Sequence, residues 1–295
     1  MRIVIAGPGA LGLLFAGYLS DNNDVTLLHH DRSAAKVLDK QGFDVTDGRA
    51  SHYMLPCGVT VPERADLLLV SFKTWSYSGA LEAMGRCDAR AVLTVQNGIG
   101  NMERLAKVFG KNRVYGASVT YGVTRESATS VRVMGHGSVE AGAFGAGEMT
   151  GGIVKILEEG GFNARAADDI RRTVWLKAGV NMCINPVACI YDVANGELLD
   201  IPRVPELWRN IAGDVSLAAA TDGIDIAPEQ LAERARQVAQ QTSQNVCSML
   251  QDIRAGRRTE IDSICGEVIR RSKENCFSAK TCEDLYRSVK ELERT

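Results

Sequence analysis

The apolar positions of this chain repeat with two different periods, and the change between them divides it. In the first part they form short β-branched and aliphatic runs, and Arg2–Ala6, Asp24–Leu28, 66–72 and 91–95 read as strands. Continuous apolar runs of that length suit a parallel sheet covered on both faces. Helical patterns at 11–19 and 33–41 stand among them, the second stopped by Gly42. Further strands are expected at Val114–Val119, 131–135, 138–141 and 162–166, with a helix at 148–159. The polar stretch 125–130 reads as a turn, so part of this region can pair antiparallel. From about Asp168 glycine thins and the 3.6-residue period takes over, at 169–185, 204–222, 228–254, 260–275 and 281–293. The expected organisation is an α/β domain over residues 1–167 followed by an all-helical domain over 168–295.

The first strand runs into Gly7-Pro8-Gly9-Ala10-Leu11-Gly12, a G-x-G-x-x-G turn that opens a helix. Gly7 suits the tight turn. Gly9, without a Cβ, admits a pyrophosphate to the backbone, and Gly12 lets the helix pack on the strand. The helix start then offers N–H groups and a positive dipole end to phosphate. The motif alone is weak, but strand before and helix after are the context it requires, and dinucleotide binding is expected over residues 7–12. After the second strand comes His29-His30-Asp31-Arg32, where such a fold meets the adenosine ribose. An acid there favours NAD and an arginine favours NADP, so the four residues alone leave the choice open. Lys73, at the carboxyl end of a central strand, and Asn97, in Gln96-Asn97-Gly98-Ile99-Gly100, stand at the edge where open α/β sheets bind ligands. An ordinary Asn-Gly turn is the alternative for Asn97.

Lysine and arginine number 34 against 36 aspartate and glutamate. That balance lacks the excess of positive charge expected of a nucleic-acid or acidic-membrane binder. No run approaches the ~20 apolar residues of a membrane span. Arg2 before an apolar run could suggest a signal peptide, but three glycines and a proline break the run, and strand–turn–helix is preferred. The eight cysteines include no C-x-x-C and the histidines show no ligand spacing, so reduced thiols in a cytoplasmic protein, with no metal, are expected.

The helical part carries one unusual pattern. Lys177, Asn181 and Asn185 are spaced i, i+4, i+8 and line up on one helix face, while most of 174–184 is apolar. A helix apolar around most of its circumference is usually buried, so the ammonium and two amides need polar partners. A substrate cavity supplies them in one reading and an interhelical hydrogen-bond network in the other. A desolvated lysine also has a lowered pKa, which suits proton donation near neutral pH. The second candidate is 244–262. Ser248 reads as late in a helix, and Thr259 with Asp262 as the start of the next, with Glu260 in its first turn. Taken alone, Glu260 is better read as a helix-start acid.

Six stretches taken together resemble the 2-dehydropantoate 2-reductase, or ketopantoate reductase, family: G-P-G-A-L-G at 7–12, F-K-T-W at 72–75, Q-N-G-I-G at 96–100, L-K-A-G-V-N-M-C-I-N-P at 176–186, N-G-E-L at 195–198 and S-M-L-Q-D-I-R-A-G-R-R-T-E-I-D at 248–262. The resemblance implies an N-terminal Rossmann-type domain, a C-terminal helical domain, and an active site in the cleft between them. It implies NADPH-dependent reduction of 2-dehydropantoate to (R)-pantoate for pantothenate and coenzyme A synthesis. By position, Lys177 would donate a proton to the carbonyl oxygen. Asn97 would touch cofactor and substrate, and Asn181, Asn185, Asn195 and Ser248 would bind substrate oxygens. Glu260 would sit near the substrate hydroxyl and the cofactor, with Lys73 and Gly122 also along the cofactor. Arg32 is a cofactor-binding candidate by its residue type after the second strand. The family's arginine after the second strand falls at His30 here, with Arg32 two places later and Asp31 between. Two alternatives remain on the sequence: a reductase of another 2-keto acid, and a non-enzymatic NAD(P)-binding redox sensor. Oligomeric state is not legible.

Overall fold

The structure, a computed structural model, describes residues 1–74 and 77–294. Trp75, the last residue of the F-K-T-W stretch, lies outside the described residues. The chain divides into two compact units, one of residues 1–96 and 101–170, the other of 97–100 and 171 onward.

The first unit runs β1 (Arg2–Ala6), α1 (Ala10–Ser20), β2 (Asp24–Leu28), α2 (Arg32–Gln41), β3 (Phe43–Asp47), β4 (Arg49–Tyr53), β5 (Cys57–Gly58), β6 (Arg64–Val70), α3 (Tyr77–Met84), β7 (Asp88–Thr94), α4 (Asn101–Phe109), β8 (Val114–Val119), β9 (Gly122–Ser127), β10 (Ser130–Gly135), β11 (Val139–Ala143), α5 (Thr150–Glu159) and β12 (Ala164–Ala166). Its main sheet has the order β12-β11-β8-β7-β6-β1-β2-β5. All pairs from β5 to β8 are parallel, and β11 turns antiparallel to β8. The central strands carry side chains into a core on both faces, which is why Leu67, Leu68, Leu69 and Val70 form an unbroken apolar run, all buried.

A second sheet, β4-β3-β10-β9, departs from expectation. The stretch 125–130, expected as a turn, gives most of its length to strands: β9 runs through Ser127 and pairs antiparallel with β10, so the turn shrinks to Ala128 and Thr129. Neither β3 nor β4 was anticipated. Both are half polar because this sheet is partly solvated, with burial concentrated at Phe43 and Val45. Their one local signal is Asp47-Gly48, a hairpin dipeptide, with Gly48 at φ +69°.

The second unit contains α6 (Ile170–Tyr191), α7 (Val204–Thr221), α8 (Pro228–Gln241), α9 (Ser248–Arg254), α10 (Cys265–Glu274) and α11 (Lys280–Leu292), with 3₁₀ turns at Gly196–Asp200 and Ile261–Ser263. The helix expected at 169–185 continues past Pro186 for another turn. Proline removes one backbone donor and normally ends or kinks a helix. The bond lost is the one to Met182 O, and tertiary contacts hold the helix beside it: Trp208 Nε1 donates to Cys183 O at 2.6 Å, and Cys247 Sγ lies 3.7 Å from Asn185 O. The helix expected over 228–254 is two helices, separated by a polar stretch around Thr242-Ser243-Gln244-Asn245 and capped anew by extended Cys247. Ser248 therefore opens α9 instead of ending a helix. Likewise α10 starts at Cys265, and Glu260 precedes the Ile261–Ser263 turn.

One ion network fixes α6, α7 and α10 within this unit. The Arg271 guanidinium is 4 % exposed. It reaches Asp222 Oδ2 at 3.0 Å and Glu267 Oε2 at 2.9 Å, and lies over the Trp175 ring. Trp175 Nε1 also donates to Asp222 Oδ2 at 3.0 Å. Removing one partner from a buried pair leaves an uncompensated charge. Arg271→Met should therefore cost about 3–5 kcal/mol of unfolding free energy, read from denaturant titration of tryptophan fluorescence. A cost below about 1 kcal/mol, typical of exposed pairs, would show that the network contributes no more than a surface one.

Candidate active site

In the first unit, β1 ends in a turn whose shape depends on its glycines. Gly7 has φ +96°, and a Cβ there would come within 2.5 Å of the Phe72 Cβ. A Cβ on Gly12 would meet Gly7 O at 2.2 Å, so this glycine sets how closely α1 packs on the turn. Ser71 Oγ, just past β6, donates to Gly7 O at 2.8 Å and holds the loop. Gly9 differs: a Cβ there would approach nothing nearer than 4.0 Å. The open space beside its backbone is where a bound phosphate needs to come. Gly9 is also the N-cap of α1, with no side-chain cap and no acid in the first turn. Pro8, Ala10 and Leu11 complete this turn. The residues present thus fit a dinucleotide pyrophosphate at Gly7–Gly12.

At the end of β2 the two charged candidates are placed differently. Asp31 is the N-cap of α2, accepting from Ala34 N at 2.7 Å and from Ser33 Oγ at 2.5 Å. These donors hold its carboxyl below the usual carboxylate range. Arg32 is exposed at the first position of α2. His29 and His30 stack at 4.8 Å between ring centres, and burial with its neighbour's charge pushes His29 down. Lys73 follows β6 and is partly buried, and Gly122 opens β9, where a Cβ would lie at ordinary van der Waals distance, 3.5 Å from Gly135 N.

In the second unit, one chain of polar contacts brings three distant candidates together. Lys177 Nζ donates to Asn97 Oδ1 at 2.8 Å, and Asn97 Nδ2 donates to Glu260 Oε2 at 3.2 Å. The amide presents its oxygen to the ammonium and its nitrogen to the carboxylate, the orientation each charge demands. Asn97 is held by its own turn. Gly98 has φ +88°, and a Cβ there would sit 2.3 Å from Ser263 O. Ile99 N donates to that same carbonyl at 2.9 Å. Burial pushes the Lys177 ammonium down to about 8, against the opposing pull of the Glu260 charge.

Asn97, Asn181, Asn185, Ser248 and Glu260 line a pocket of about 210 Å³ together with Met249, Asp252 and Ile264. Lys177 joins this set through Asn97. Asn195 does not line it. Its Nδ2 donates to Thr242 Oγ1 at 2.9 Å, and its Oδ1 is buried without a hydrogen-bond partner among the described residues. Asp252 escaped the sequence reading. It sits four residues after Ser248 on α9 and so shares its face, a spacing that was available. Its carboxylate is buried and accepts from Arg257 Nε at 2.9 Å.

Residues 3–146 match the family model described as ketopantoate reductase PanE/ApbA, and residues 169–293 its C-terminal counterpart. The chain is 33 % identical over 298 residues to the 2-dehydropantoate 2-reductase of Halobacterium salinarum, covering 97 % of this chain and 98 % of that protein. It is 32 % identical over 302 residues to that of Archaeoglobus fulgidus, covering 98 % and 97 %. Among solved structures, D-mandelate dehydrogenase with NADH and anilino(oxo)acetate superposes with a TM-score of 0.93 at 26 % identity, covering 100 % of this chain and 99 % of that one.

The balance at Lys177 is testable without any substrate. Glu260 opposes the effect of burial, so Glu260→Gln should lower the Lys177 pKa below about 8. The pH dependence of Lys177 acylation by an amine reagent, read by peptide mass spectrometry, measures it. An unchanged or raised value would show that the carboxylate does not act on this ammonium.

Proposed function

This chain belongs to the ketopantoate reductase PanE/ApbA family, and from that premise we propose that it reduces 2-dehydropantoate to (R)-pantoate with NADPH, serving pantothenate and coenzyme A synthesis. The observation that carries the proposal is the Lys177–Asn97–Glu260 chain at a pocket walled by two further asparagines and a serine. A bound nicotinamide supplies the hydride. Lys177 holds a proton at neutral pH, below its pKa of about 8, and gives it to the carbonyl oxygen as that oxygen gains charge. Asn97 directs the ammonium. The Glu260 charge keeps it protonated against desolvation. Asn181, Asn185 and Ser248 offer amide and hydroxyl groups to the carboxylate and hydroxyl oxygens of the keto acid. Asn195 is assigned with them on the family resemblance alone: it lies outside the pocket lining, with its Nδ2 committed to Thr242 Oγ1. A redox sensor would have no use for a desolvated proton donor.

The preference for NADPH rests on the capping role of Asp31. A carboxylate committed to the N–H of Ala34 and the hydroxyl of Ser33 is poorly placed to serve a ribose 2′-hydroxyl, whereas Arg32 is exposed for a 2′-phosphate. A second reading, reduction of a different 2-keto acid with NADH, is favoured by the likeness to D-mandelate dehydrogenase.

Cofactor oxidation followed by absorbance, with 2-dehydropantoate and with an aryl 2-keto acid, separates the two. The proposal expects turnover of 2-dehydropantoate and a kcat/KM at least about tenfold higher with NADPH than NADH, the worth of one charge-assisted hydrogen bond. Preference for NADH with the aryl acid would favour the second reading. In the same assay Lys177→Ala should lower kcat by about 10²-fold or more with the fold intact. Near-native kcat in that variant would remove Lys177 from the chemistry.

A further inference from the structure

Glu260 has no regular helix to hold it: it lies between the end of α9 and the short Ile261–Ser263 turn. A side chain in so short a connection needs external support to keep its carboxylate at Asn97. That support comes from one edge of α11. A single oxygen of Glu293, Oε1, accepts from Thr259 N at 2.8 Å and from Thr259 Oγ1 at 2.6 Å. The Thr259 hydroxyl in turn accepts from Ile261 N at 3.3 Å. The residues on either side of Glu260 are thereby tied to one carboxylate. Glu293 Oε2 is held by Lys290 Nζ at 2.9 Å, and the same ammonium reaches Asp262 Oδ2 at 3.0 Å. Tyr286 OH donates to Asp262 Oδ1 at 2.8 Å. Tyr286 and Lys290 on α11 and its C-cap Glu293 are spaced i, i+4, i+7, along one face of the helix. Thr259 is fully buried, so these bonds form out of water, where losing an acceptor is costly.

We propose that Thr259 and Glu293 are positioning residues that hold Glu260 in register with Asn97, the last helix thereby setting the geometry of the Lys177 site from behind. This rests on the reading of Glu260 as part of that site. Neither residue need touch substrate. If Glu260 drifts, its charge moves away from Lys177 and the ammonium loses the interaction that opposes desolvation.

The test uses Thr259→Val, which keeps the branched shape and removes the hydroxyl, Thr259→Ser, which restores it, and Glu293→Met, which removes the acceptor of both bonds. Two quantities are read in the full-length enzyme: the Lys177 pKa by pH-dependent acylation, and kcat/KM for the keto acid. We expect Thr259→Val and Glu293→Met to lower the Lys177 pKa in the direction of Glu260→Gln and to lower kcat/KM by about 10–100-fold, the scale of an ångström-sized misplacement. Thr259→Ser should recover most of both. An unmoved Lys177 pKa in Thr259→Val overturns the proposal, whether or not kcat/KM falls, because Glu260 has then stayed in place. The pKa measurement needs no turnover. A shifted pKa in an enzyme that reduces no keto acid would uphold the positioning role and reject the activity. If Glu293→Met fails to fold, the Thr259 pair decides.

Discussion

An ammonium taken out of water is the constraint around which the helical unit is arranged. Burying a charge costs several kcal/mol unless it is paired and hydrogen-bonded, and Lys177 sits on a helix that is otherwise largely apolar and packed in a core. Its ammonium survives because two elements distant in sequence reach it. Asn97 comes from the loop after β7, and Glu260 from the loop after α9. The same desolvation that makes the position costly brings the group toward the pH at which it can release a proton. Glu260 limits how far that shift goes.

Each of these contacts depends on backbone features with no chemistry of their own. Gly98 must be glycine, because its positive φ and the closeness of Ser263 O leave no room for a side chain. The helix α6 must stay regular through Asn185, next to Pro186, for Asn185 to keep the face of Lys177 and Asn181, and Trp208 secures that stretch through Cys183 O. The Arg271 network holds α6, α7 and α10 together and reaches α6 at Trp175, two residues before Lys177. The dinucleotide turn shows the same economy: Gly7 and Gly12 are required by close packing, while Gly9 is left open.

Much of this was legible in the residues. The strands of the parallel sheet announced themselves as continuous apolar runs, and β1, β2 and β8 have the expected limits. The 3.6-residue period placed Lys177, Asn181 and Asn185 on one face before any coordinates. What failed was punctuation. The loop around Thr242, which parts α8 from α9, lies in a polar stretch that keeps helical periodicity, so Ser248 reads as late in a helix although it opens α9. The break after Arg254 falls where expected, but α10 starts at Cys265, beyond the expected 260. The helix expected over 169–185 runs on past Pro186, and local propensity takes no account of tertiary contacts such as that of Trp208. The small sheet was missed because partly solvated strands such as Arg49–Tyr53 lack an apolar signature. The pairing of Glu260 with Asn97 spans 163 residues, and no local pattern reports it. Only the resemblance raised Glu260 above a helix-start acid.

The central claim is that a desolvated, still protonated Lys177 supplies the proton during carbonyl reduction. The most direct measurement is the pH dependence of kcat/KM for keto acid reduction, which reports ionisations of the free enzyme. The account predicts a rate that is level at neutral pH and falls above about pH 8 as one group loses its proton. The residual rate of Lys177→Gln should lack that inflection. A wild-type profile flat through this range, or an inflection retained in Lys177→Gln, would contradict it.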